Sequence, residues 1–412
     1  MRKYTVSEVE NIVHDVVIDS LDGLFRRGAR KMLQVALENE VAEYIDRFQD
    51  QVDKSGRRVV VRNGYHKPRE VTTGIGKIPI KQPRVADRRA GQRFTSAILP
   101  KYARRSPSIN TLIPTLYLKG VSSSSFPEAL EAILGKDAPG LSPANITRLK
   151  QVWHDEYESW KKRDLNDKHY AYIWADGIYF NVRLTEQRPC VLVLIGATAE
   201  GRKEVIAIDD GQRESQLSWQ TLLRDLKARG LIQAPAVATG DGALGFWAAL
   251  EEEFPGTKHQ RCWVHKTANV LDKLPKSVQP DAKKLLHEMY LSPTRKDALA
   301  VYDRFIDLYQ AKYPKACECL SKDKDVLFTF YAFPAMHWQH LRTTNPIEST
   351  FATVRHRTRQ TKGCGSVNAT MAMVYKLALG AERTWLRLRG SNLIPLVLNG
   401  TRFRDGELEM AA

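Results

Sequence analysis

Three carboxylates stand where they could hold a divalent cation. Asp176 follows a β-rich run in WADGIYF, and Asp241 follows another in VATGDGAL. In an α/β sheet the carboxyl ends of strands are where ligands gather, so two carboxylates there can share a hard cation. Each also has a plainer reading: Asp176-Gly177 is a hairpin-turn signal, and Asp241 is a good N-cap for the helix that follows. Glu348 lies in TTNPIESTFATVRHRTRQTK, where Asn345 reads as an N-cap and Pro346 as the first helical residue. That makes Glu348 the N3 residue, a capping-box partner on the plainer reading. Phe351, Ala352, Arg355 and Arg359 follow at offsets that share its helix face. A carboxylate on a face ending in arginines suits a metal ligand beside a phosphate backbone, and a cap does not need that basic continuation.

Cys262 and His265 have the spacing of half a zinc site. No second half accompanies them: Cys317 and Cys319 are one residue apart on a predicted helix and point to different faces. Zinc is therefore not expected, and the pair is read as a structural motif where the sheet meets a helical insertion. Trp338, between His337 and His340, could stack on an unpaired base, although burial is the commoner fate of such a residue.

The elements that would position these residues follow from the apolar periodicity. Residues 1–56 read as an amphipathic helical unit and 57–105 as a small hairpin module rich in Arg and Lys. Residues 106–160 carry helix-turn-helix punctuation at Gly120 and Gly140; Asn145, Arg148 and Lys150 on the last helix are types that contact bases and phosphates. An ordinary helical bundle is the plainer reading of that unit. WKKRDLNDKH at 160–169 reads as a linker. Residues 161–266 then give four β runs (YAYIWA, IYFNVRL, CVLVLIGAT, KEVIAI) followed by alternating helix and strand, the pattern of an α/β sheet. Residues 267–336 are a helical insertion, 337–390 return to the sheet domain, and 391–412 form a tail.

Lys and Arg outnumber Asp and Glu by 63 to 47, a formal charge of +16 with a pI near 9.5, which favours a polyanionic partner. Five scattered cysteines do not make a secreted disulfide framework, and no apolar run is long enough for a membrane span. The expectation is a soluble intracellular protein with no membrane partner.

Taken together, WADGIYFNVR, IGATAEGRKEVIAI, SWQTLLRDLKARGL, GDGALGFWAALEEEFPGTKHQRCWVHKTANVL and TTNPIESTFATVRHRT resemble the Mutator-type transposases of bacterial insertion sequences. RNGYHKPREVTTGIGKIPIKQPR and LKGVSSSSFPEAL are weaker matches upstream, and TKGCGS after Glu348 departs from the apolar run found in many relatives. The resemblance implies a ribonuclease H-like α/β catalytic domain with an all-α insertion, preceded by α-helical and small β DNA-binding modules. It implies an Asp-Asp-Glu triad of Asp176, Asp241 and Glu348 that holds two Mg²⁺ or Mn²⁺ ions, with Cys262 and His265 matching the family's Cys-x-x-His. Arg355 and Arg359 would then bind phosphates. The partners expected are double-stranded DNA, as terminal repeats and target, and a second copy of the chain in a dimer or larger assembly, in the bacterial cytoplasm at the nucleoid. A ribonuclease H-like nuclease or resolvase without joining activity, or an inactive DNA-binding regulator, are the alternatives.

Overall fold

The computed structural model of the protein describes residues 21–106, 143–180, 190–211, 214–348 and 366–409, with single positions between 109 and 116 and between 351 and 354. The chain forms two compact units, Met1–Arg148 and Leu149–Ala412. In the first, helix α1 (Leu21–Asp46) carries Ala29, Leu33 and Leu37 at four-residue steps, one face of a helix. That face packs on a nested pair of hairpins. The inner one joins β2 (Arg69–Thr73) to β3 (Gly76–Ile80), and the outer pairs β1 (Val60–Tyr65) with β4 (Pro83–Asp87). Period-two alternation puts Val71, Ile78 and Ile80 in the shared core with Leu37 and Leu99. At the far end of β4, Asp87 accepts hydrogen bonds from Arg89 and from the Tyr44 hydroxyl (2.7 Å), closing β4 onto α1.

Helix α2 (Pro143–Lys161) leads in sequence to the second unit, whose centre is a five-stranded sheet. Strands β5 (Tyr170–Tyr179), β6 (Cys190–Thr198) and β7 (Lys203–Asp210) form an antiparallel meander; β8 (Val237–Gly240) and β9 (Lys258–Arg261) add in parallel on the other side of β5. The sheet order is β7-β6-β5-β8-β9. Ile173, Ala175, Leu192, Leu194 and Ala238 face α3 (Gln216–Ala228) and α4 (Leu244–Glu253), which contribute Trp219, Leu222, Leu226, Phe246 and Leu250 to one core. The intervening residues Tyr172 and Trp174 bond the other way: Tyr172 to His337 Nδ1 (2.7 Å), and Trp174 Nε1–H to the His340 carbonyl (2.8 Å). The sheet is thus covered on both faces, which is why its central strands β5 and β6 are almost uninterrupted apolar runs.

YAYIWA and the IY that opens the next run are one strand, not two. β5 runs through Asp176-Gly177 with both residues paired to β6, so the Asp-Gly turn signal is overridden by pairing along a central strand. The expected linker is also docked. Leu165 is buried, and the Arg163 guanidinium donates to the carbonyls of Val205 and Ile206. After β9 come α5 (Trp263–Leu271), α6 (Gln279–Leu291), α7 (Arg295–Tyr309) and α8 (Pro314–Ser321). The Gln260 amide holds this helical region to the sheet, donating to the Leu327 carbonyl and accepting from the Phe330 N–H. Helix α9 (Val367–Glu382) packs along β7. Residues beyond 390 fold back, with the Arg295 N–H donating to Asp405 and the Ala335 N–H to the Gly406 carbonyl. Among the described residues no helix is long and apolar enough to cross a membrane.

Candidate active site

Strand register brings the two aspartates together. The parallel ladder of β5 with β8 ends at Ala175 opposite Gly240, and that of β8 with β9 ends at Gly240 opposite Arg261. One residue further along the three strands stand Asp176, Asp241 and Cys262, neighbours at one end of the sheet. Asp176 is buried, 5% exposed. Asp241 accepts the Ala243 N–H at 2.9 Å through Oδ1, and the helix cap position is Ala243, so Asp241 does not cap α4. Between them Gly242 turns at φ +94, with the Arg261 guanidinium packed where a side chain would stand.

Glu348 reaches this end of the sheet from residues 345–348, the start of a helix. The Glu348 N–H donates to the Thr344 carbonyl at 3.1 Å, so Thr344 is the cap in place of Asn345, and Glu348 lies one position later than N3. A capping box would direct the cap residue's own N–H to Glu348. That N–H instead donates to Cys262 Sγ at 3.4 Å. The Thr344 hydroxyl lies 3.4 Å from the same sulfur and donates to Glu348 Oε1 at 3.2 Å. His265, one turn into α5, brings Nε2 to 3.7 Å from Glu348 Oε1. The ligand atoms of Cys262, His265 and Glu348 all lie within 4.8 Å of one another. The Cys-x-x-His pair therefore joins the carboxylate helix to the end of β9.

These groups lie close enough to shift one another's ionisation. The hydrogen bond with Cys262 raises His265 to about 9 against the effect of burial, and the negative charges of Cys262, Asp176 and Glu348 add to it. For Cys262 burial opposes ionisation, but contact with His265 and Thr344 outweighs it and holds the thiol below its ordinary value. A further carboxylate, Glu214, sits just before α3 and is pushed up to about 8 by burial, then by the negative charges of Asp241 and Asp176. Neither Thr344 nor Glu214 stands out in the sequence. The only local signal at Glu214 is the Ser215 cap that follows it.

The other predicted residues are placed as follows. Arg355, Arg359 and most of the helix-turn-helix stretch lie outside the described residues, as does the side chain of Asn145. Arg148 is exposed and Lys150 half-buried on α2. Trp338 is buried and donates to the Phe333 carbonyl at 2.8 Å, so it does not offer a free stacking face. Cys317 is buried on α8 and Cys319 half-buried, both as free thiols apart from Cys262 and His265.

A family profile described as "Transposase, Mutator family" matches residues 1–387. The chain is similar to the transposase for insertion sequence element IS6120 of Mycolicibacterium smegmatis, 51% identical over 300 residues that make up 73% of this chain and 92% of that protein. It is also similar to the transposase for insertion sequence element IST2 of Acidithiobacillus ferrooxidans, 48% identical over 279 residues, 68% of this chain and 94% of that protein. The transposase for insertion sequence element IS256 in transposon Tn4001 of Staphylococcus aureus is 28% identical over 326 residues, 78% of this chain and 80% of that protein.

Proposed function

This chain belongs to the Mutator family of transposases, and from that premise we propose that it binds the terminal repeats of an insertion sequence and cuts and joins DNA strands there with Asp176, Asp241 and Glu348. The observation that carries the assignment is the register that leaves Asp176 and Asp241 side by side, one step past the parallel ladder. The strand order β7-β6-β5-β8-β9, with three antiparallel strands and two parallel additions, supports a ribonuclease H-like reading of the sheet.

The donor set fits Mg²⁺ or Mn²⁺. It offers hard carboxylate oxygens from three separate elements, with Asp176 buried and within electrostatic reach of Glu214 and His265. Two such ions, when bound, would stabilise charge on the phosphoryl group and on the attacking and departing oxygens. The chain's own part is to fix geometry. Thr344 orients Glu348, and the sheet holds the two aspartates in register. His265, cationic beside Glu348 and Asp176, offers an N–H to a phosphate oxygen. Arg355 and Arg359 would hold the backbone further along the same helix.

Recognition of the element ends is assigned to the part before Trp160. Residues 57–105 hold fourteen Lys and Arg against two acids, Glu70 and Asp87, so this module carries most of the chain's net positive charge. Most of those basic side chains are exposed. Helix-turn-helix contacts through Asn145, Arg148 and Lys150 would add to it. Two ends cut in concert call for a homodimer or larger assembly at the nucleoid. Full-length protein incubated with labelled element ends, target DNA and Mg²⁺ should yield nicked ends and joined products, and Asp241→Asn should yield neither. Nicking without joining would point to a nuclease or resolvase, and end binding without either product to a regulator.

A further inference from the structure

A cavity of about 570 Å³ begins at Gly242, the residue after Asp241, and is lined by α4, β9, α5 and the segment that follows α8. Two of its cations are buried. Arg261, at the end of β9, is 5% exposed, and Lys266, on α5, is 2% exposed. Arg261 Nε lies 3.1 Å from Asp323 Oδ2, and Lys266 Nζ contacts the same oxygen; among the described residues neither cation pairs with another acid. Lys266 also donates to the Cys319 carbonyl at 2.6 Å, whereas Arg261 Nη1 has no hydrogen-bond partner. One carboxylate therefore serves two buried cations. Fastening the end of β9 to the helical region needs only one of them, and the second leaves a positive charge that burial makes unfavourable until an anion meets it.

The rest of the lining suits a nucleotide. Trp247 on α4 and His259 on β9 stack with ring centroids 4.7 Å apart and planes 26° apart, giving the cavity an aromatic wall. Burial holds His259 below its ordinary value, so it adds a ring and not a charge. Lys322 and Asn269 are exposed and offer donors to a phosphate or a base edge. Against Arg261, Lys266 and Lys322 stand Asp323 and the exposed Glu251, so the cavity keeps a net positive charge. Its volume takes a single nucleotide and not a duplex. We propose that this cavity holds one nucleotide of a single DNA strand beside the Asp241–Gly242 turn, with the phosphate on Arg261, Lys266 and Lys322 and the base against Trp247. This rests on the reading of the chain as an enzyme that cuts DNA at Asp241.

The test is photocrosslinking of the full-length protein, without divalent metal, to a short single-stranded oligonucleotide carrying 5-iododeoxyuridine, which couples to aromatic side chains; adducts are mapped by mass spectrometry. The parent should be labelled at Trp247 or His259. Arg261→Gln and Lys322→Glu should each lower that labelling about tenfold or more, the loss of one charge-assisted hydrogen bond, measured against adducts on residues 57–105 in the same sample. Lys322 is exposed, so Lys322→Glu, with thermal unfolding like the parent's, carries the test even where Arg261→Gln fails to fold. Labelling confined to residues 57–105, or labelling of Trp247 that Lys322→Glu leaves at the parent level, would overturn the cavity's role and leave the DNA-cutting reading standing. A parent that takes no label anywhere and does not retard element ends in a gel would overturn both together.

Discussion

Thr344 directs its N–H and hydroxyl toward Cys262 and Glu348, and so acts on the site without touching the reacting atoms. Thr344→Val keeps the shape and removes the hydroxyl. Groups that orient metal ligands typically affect activity by about ten- to a hundredfold, so we predict a fall of that order in strand cleavage. End binding, measured by gel shift, should be unaltered; cleavage at the parent rate would show that the hydroxyl does not position Glu348. Such a residue could not be read from the sequence, because its partner is 82 positions away and nothing in TTNP announces a sulfur. Asp176, Asp241 and Glu348 stand out as candidates for the opposite reason: each sits in a local sequence pattern, beside a β run or on a helical period, that suggests its own geometry. Glu214 has no such pattern. Its side chain meets β5 in the space left by Gly177, which exists only once β5 and α3 are packed.

At the scale of elements, the sheet's strands were legible from apolar runs, but the boundary at Asp176-Gly177 was not. A local turn signal lost to pairing with β6 on one side and β8 up to Ala175 on the other. In the first unit, hairpin β1–β4 is fastened to α1 by Asp87, whose carboxyl the hydrogen bonds from Arg89, and then Tyr44, hold well below the ordinary 3.8 despite burial. A depressed folded value means stability that is present above about pH 4 and lost as pH falls through the lowered range. Asp87→Asn should therefore cost roughly 1.5–3 kcal/mol near neutrality, and the difference from the parent should narrow below pH 4. Amide hydrogen exchange across residues 60–87 measures this. Equal protection in parent and variant at pH 7 would remove Asp87 from the account.

At the scale of the whole molecule, the expectation is a division of labour between a basic recognition part and a catalytic sheet. Residues 1–160 alone should bind element ends, with affinity falling on the order of a hundredfold or more between about 50 and 200 mM salt, since several phosphates would be neutralised. A fragment beginning at Asp167 should not discriminate ends from other DNA; equal discrimination by that fragment would refute the division. The central claim is that residues 176, 241 and 348, far apart in sequence, form one metal site. Its most direct test is Mg²⁺-dependent cleavage and joining of labelled element ends by Glu348→Gln, which preserves shape and removes a ligand charge. We predict that cleavage and joining are both abolished, while end binding persists and the circular dichroism spectrum is unchanged. Strand cleavage at the parent rate by that variant would contradict the account.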